Sequence, residues 1–161
     1  GDVIYKGRVP FLDSPETDIT HWLSELVYLT RLEPAPRYVI PGHGTASDDV
    51  EQAIAATRDY IHYVREVMRK AVADFTPFDE AYEATDWSAY RDMPAFDASN
   101  RGNAYRIYLE MEAEAFEQGW QDATDISIHN NNKISKDKQK KYILFFSINF
   151  DLKNRYIELA F

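Results

Sequence analysis

Val50, Ile54, Thr57, Ile61, Val64 and Met68 follow one another at intervals of three and four residues. One face of a long helix is therefore apolar from residue 50 to about Asp74. Ser47 reads as its N-cap, with Asp48, Asp49 and Glu51 favouring the first turn. The chain has 161 residues, enough for one domain with a core and too few for two comfortable ones.

Upstream, Ile19, Trp22, Leu23, Leu26, Leu29 and Leu32 predict a second amphipathic helix, stopped by Pro34 and Pro36. Arg37-Tyr38-Val39-Ile40 reads as a short buried strand leading into the turn Pro41-Gly42-His43-Gly44. Asp2 to Tyr5 reads as the end of a strand that began upstream. Downstream, Pro77 to Thr85 predicts a short helix, and residues 86–98 an irregular packed segment. A last helix is expected with Ser99 or Asn100 as its cap and Ala104, Ile107, Met111 and Ala115 inside. The order β–α–β and then helices predicts an α/β fold.

Composition divides the chain near Asp125. Residues 1–124 carry 23 acidic and 11 basic side chains, a net charge of −12. Residues 125–161 carry 4 and 7, a net +3, and hold 17 Ile, Lys and Asn residues taken together against 10 in residues 1–124. Two explanations remain open. The tail is either a linker followed by a β-hairpin, with strands at Tyr142–Phe150 and Arg155–Phe161, or a stretch not native to the domain. The whole chain is at −9, a sign that disfavours nucleic acid and anionic membranes as partners. The basic run Lys136, Lys138, Lys140 and Lys141 reads as a solvated charge run. Cysteine is absent, so thiolate zinc sites and cysteine nucleophiles are excluded. No apolar run approaches the ~20 residues of a membrane span, and no signal peptide follows Gly1.

Two features carry chemistry. One is Gly1-Asp2 at a strand end. The other is His43, held between Gly42 and Gly44 after an apolar segment. Glycines on both sides allow a tight turn and close backbone approach, and an imidazole presented there suits a divalent metal. His43 is equally a candidate for a turn residue bonding the backbone. His21 reads as a surface or capping residue and His62 as solvated, and nothing is assigned to His129.

Gly-Asp, then Gly7-Arg8-Val9-Pro10-Phe11, a helix, and Val39-Ile40-Pro41-Gly42-His43-Gly44 resemble the second half of the metallo-β-lactamase superfamily. With Asn100-Arg101-Gly102-Asn103-Ala104-Tyr105 and Tyr108-Leu109-Glu110, they are closest to its zinc hydrolases associated with sulfur oxidation and quinoprotein relay systems. The resemblance covers roughly residues 1–118. It implies the C-terminal half of an αββα sandwich over residues 1–124, with 125–161 as a separate tail or added hairpin. It also implies two zinc ions in the intact parent, with Asp2 bridging them and His43 as the last ligand. The reaction implied is hydrolysis of an ester, thioester or amide in a small molecule. Arg8 is a candidate for contacting an acidic substrate, and equally for an ion pair on its loop.

The family's first ligands, a His-x-His-x-Asp-His motif, are not in this chain, so by itself it is expected to be inactive. The alternative is a non-catalytic remnant or interaction module that self-associates through an exposed sheet. The compartment, periplasm or cytoplasm, stays open.

Overall fold

The computed structural model describes residues 2–14 and 16–129, without the side chains of residues 120 and 122–129. Four helices follow in order: α1 (Ile19–Leu29), α2 (Val50–Ala73), α3 (Phe78–Ala84) and α4 (Phe96–His129). The chain divides into two units, Gly1–Gly119 and Trp120–Phe161. All contacts below lie in the first. The hairpin expected over Tyr142–Phe150 and Arg155–Phe161 and the basic run at 136–141 lie outside the described residues.

α2 forms where its periodicity predicts, and it is the spine of the first unit. Ile54, Thr57, Ile61, Val64 and Met68 are all buried. α1 and α3 both pack against it. Ala104, Ile107, Tyr108 and Met111 of α4 join the same core, whereas Ala115, expected inside, is exposed. The cap of α2 is Asp49 rather than Ser47: the Asp49 carboxylate accepts the Gln52 N–H at 3.0 Å. Ser47 is otherwise engaged, because its N–H and C=O both pair with Val39, at 2.9 and 2.8 Å. The C-terminus of α2 closes by a Schellman arrangement. The Thr76 N–H reaches the Ala71 carbonyl and the Phe75 N–H the Val72 carbonyl, with Phe75 at φ 57°.

α1 starts at Asp18, whose side chain caps the His21 N–H at 2.7 Å. It stops at Leu29, so Leu32 lies beyond it. α4 begins at Phe96, a turn earlier than expected. Asn100 is not a cap because its side chain is drawn into a buried polar network. Tyr60 donates to its Oδ1 at 2.9 Å, and its Nδ2 donates to the Tyr82 hydroxyl at 3.0 Å. Asn103, also fully buried, extends the network to residues 7–14. It accepts the Leu12 N–H and donates to the Pro10 carbonyl, both at 2.7 Å, and donates to the Tyr60 hydroxyl at 3.0 Å. A second polar knot ties α1, α2 and α4. Buried Arg65 bonds Glu110 at 2.5 Å, Glu114 at 2.6 Å and the Thr20 hydroxyl at 3.2 Å.

The expected α/β class is corrected. Among the described residues no strand longer than a single bridge forms, and the metallo-β-lactamase-like αββα sandwich is not present. Two isolated bridges remain, Tyr5 with His43 in parallel and Val39 with Ser47 in antiparallel sense. The reason lies in where the main-chain groups go. The N–H and C=O of Tyr5 are taken by the Thr57 hydroxyl of α2, and the Val3 carbonyl by the Trp22 indole of α1. The first segment thus spends these groups on helices and pairs with another segment only at the single Tyr5–His43 bridge. Arg37–Ile40 is not a buried strand either: Tyr38 is 70% and Ile40 85% exposed. Pro36 and Pro41 flank it and supply no amide donors. Among the described residues no helix is long and apolar enough to cross a membrane.

Candidate functional site

Asp2 and His43, 41 positions apart in sequence, meet in space. The route is through the backbone. Tyr5 bridges to His43, and the Lys6 N–H donates to the His43 carbonyl at 2.9 Å. The turn 42–44 is thereby laid alongside residues 2–6. Gly44 makes this approach possible. Its φ is +115°, and a Cβ there would stand 2.3 Å from the Lys6 carbonyl oxygen. Gly42, read as an equal partner in the turn, does not have a positive φ.

The His43 Nε2 and Asp2 Oδ2 atoms are 3.5 Å apart, with the two side chains 40% and 60% exposed. That separation is long for a hydrogen bond, and an ion pair this exposed is worth little. It does match another requirement. Two ligands of one tetrahedral zinc, each bonded at ~2.0–2.1 Å, stand about 3.3 Å apart. An imidazole and a carboxylate are also donors that zinc accepts. In number the set falls short, because zinc takes three or four protein ligands and this pair supplies two. Among the described residues no group of three or more His, Cys, Asp or Glu side chains could hold a metal.

The imidazole is held from behind. The Tyr5 ring stacks on it, centroids 4.8 Å apart and planes 21° apart. Trp22 also neighbours that ring, centroids 6.2 Å apart. Burial raises the Tyr5 hydroxyl above the usual phenol range, with the Asp2 charge adding to it. A main-chain hydrogen bond with Phe11 and the charge of Arg8 pull the other way. Arg8 thus acts electrostatically on the residue under His43. Its Nε is buried without a hydrogen-bond partner, and no ion pair on it appears among the described residues.

The remaining histidines stay apart from this pair. His21 faces Glu25 one turn along α1 at 3.5 Å, and His62 is exposed on α2. His129 ends α4, and its side chain is not described. The sequence pointed to Asp2, His43 and Gly44, which the fold brings together, and did not place Tyr5 and Thr57 beside them. A signal for Thr57 existed: it is the one hydroxyl in the apolar stripe of α2.

Comparison with known protein families, curated proteins and solved structures finds no match to this chain.

Proposed function

We propose that this chain contributes Asp2 and His43 to the centre of a zinc-dependent hydrolase acting on an ester, thioester or amide. The observation that supports the reading is the 3.5 Å separation of Nε2 and Oδ2, close to the edge of a tetrahedral zinc site. The motif resemblance around both residues supplies the reaction class. The further ligands have to come from residues outside those described here. Zinc, where those further ligands completed its site, would supply an acidic water and polarise the scissile carbonyl.

The chain's own residues have separate tasks. His43 presents Nε2, Asp2 presents a carboxylate that can serve one ion or bridge two, and Gly44 keeps the two segments in contact. Arg8, a cation with no carboxylate partner among the described residues, supplies charge for an anionic group on the substrate. Calorimetric titration of the chain with zinc chloride tests the reading. His43→Ala is expected to weaken binding at this site at least ten-fold, and Asp2→Asn to weaken it less. Identical isotherms for wild type and His43→Ala would sink it.

A second reading has its own observation. Tyr38 and Ile40, either side of the bridged Val39, are both strongly exposed. Exposed apolar side chains of that kind suit an interaction module that self-associates. Sedimentation velocity separates the readings: a concentration-dependent dimer abolished by Ile40→Lys supports this one, and a monomer at all concentrations removes it.

A further inference from the structure

We propose that the main-chain edge at Val39 pairs with the same edge of a second copy of this chain, antiparallel, about a two-fold axis at Val39. The proposal rests on the self-association reading and supplies its contact. Val39 exchanges both of its main-chain bonds with Ser47, at 2.8 and 2.9 Å. Each trans peptide sets its C=O opposite to its N–H. The Tyr38 carbonyl and the Ile40 amide belong to the two peptides of Val39, so both point away from Ser47. Neither group has a hydrogen-bond partner among the described residues. Val39 itself packs against the core, which anchors the edge.

One acceptor and one donor, either side of Val39, form a self-complementary set. With Val39 opposite Val39 of the second copy, each Ile40 N–H meets a Tyr38 carbonyl, and two hydrogen bonds close the pair. The same register sets each Tyr38 side chain beside an Ile40 side chain, the two most exposed large apolar residues among those described. Aromatic and β-branched residues pair favourably across strands. Charge points to the same place. The chain is at −9, so two copies repel one another. Between Glu33 and Asp48 there is no Asp or Glu, the longest such interval in residues 1–124, and Arg37 lies within it. Two copies therefore meet with least repulsion along this edge. Pro36 and Pro41 bound it, so the pairing closes on two copies instead of extending.

The experiment uses the full chain, whose lack of cysteine allows a direct reading of register. Tyr38→Cys and Ile40→Cys variants are oxidised separately and as a mixture. In the proposed register, residues 38 and 40 of opposite copies have Cα atoms about 5.5 Å apart, within disulfide reach. Like residues lie about 7–8 Å apart on the diagonal, beyond it. The mixture should therefore give a cross-linked dimer, and neither variant alone. Sedimentation velocity of wild type should show a concentration-dependent dimer. Ile40→Val keeps the amide and should associate as wild type does. Ile40→Pro lacks the donor and should associate on the order of ten-fold more weakly. Deuterium exchange at the Ile40 amide should slow as the protein is concentrated.

Cross-links that form as well in the single variants as in the mixture would overturn the edge pairing. So would an Ile40 amide that exchanges as fast in the wild-type dimer as in the monomer. Either result leaves self-association standing through another surface. A monomer whose Ile40 amide is nonetheless protected puts a segment of the same copy on the edge and also overturns the pairing. A wild type that stays monomeric with a freely exchanging Ile40 amide removes the self-association reading, and the proposal with it.

Discussion

At Gly44 two independent demands coincide, a φ of +115° and the Lys6 carbonyl oxygen 2.3 Å from where a Cβ would sit. Gly7 faces only the first, with φ +74° and nothing within 4 Å of a Cβ. Alanine at Gly7 should therefore cost about 1 kcal/mol, the ordinary left-handed penalty. Alanine at Gly44 should cost about 2 kcal/mol or more, because residues 5 and 6 have to move as well. Urea unfolding of the two variants checks the order, and equal losses would contradict the close approach. Gly44→Ala should also separate His43 from Asp2, whereas Gly7→Ala should leave the pair in place. That a glycine beside His43 matters was legible in the sequence. Which of the two matters was not, because the oxygen it avoids belongs to a residue 38 positions away.

The elements divide by how local their causes are. The end of α2 was expected within a residue of where it lies, because periodicity and turn chemistry act over one or two turns. Its cap was misassigned because Ser47 is drawn into pairing with Val39, which only the fold brings near. Asp49→Ala should therefore cost about 1 kcal/mol, the usual value for a lost N-cap. Ser47→Ala should cost less, since its main-chain pairing survives, and thermal unfolding of both variants reads the difference. α4 was expected to start at Ser99 or Asn100 for the same kind of reason. Asn100 fits a cap, yet Tyr60 and Tyr82 claim its side chain. The Arg37–Ile40 segment shows the opposite failure. A short apolar run reads alike whether it is covered or bare, and here Tyr38 and Ile40 are bare.

Across the whole first unit, buried tyrosines join the polar network to the apolar core and give the molecule an alkaline limit. Burial is the main cause that raises the Tyr60 hydroxyl far above its ordinary value of 10, with nearby Tyr82 and Tyr90 adding and the Asn103 hydrogen bond opposing. Burial likewise pushes Tyr108 up to about 12. A phenol whose pKa is raised on folding favours the folded state fully below its unfolded pKa. That contribution is lost as pH climbs through the folded value. Stability should therefore hold up to about pH 10 and fall from there towards pH 12 and beyond. Phenolate absorbance and circular dichroism, followed together, should show a class of tyrosines that ionises only as the helices unfold. Independent, early ionisation of every tyrosine would refute the buried network.

By itself, the sequence determined the amphipathic helices, the glycine-flanked His43 and the acidic body, because each depends on neighbours within a turn or two. The tertiary structure decided that the terminal segment bonds to helices and forms no sheet. It also decided that Asp2 meets His43, and that Thr57 and Tyr5 stand behind them. Those outcomes depend on which distant donor reaches a main-chain group first, and no local pattern encodes that competition.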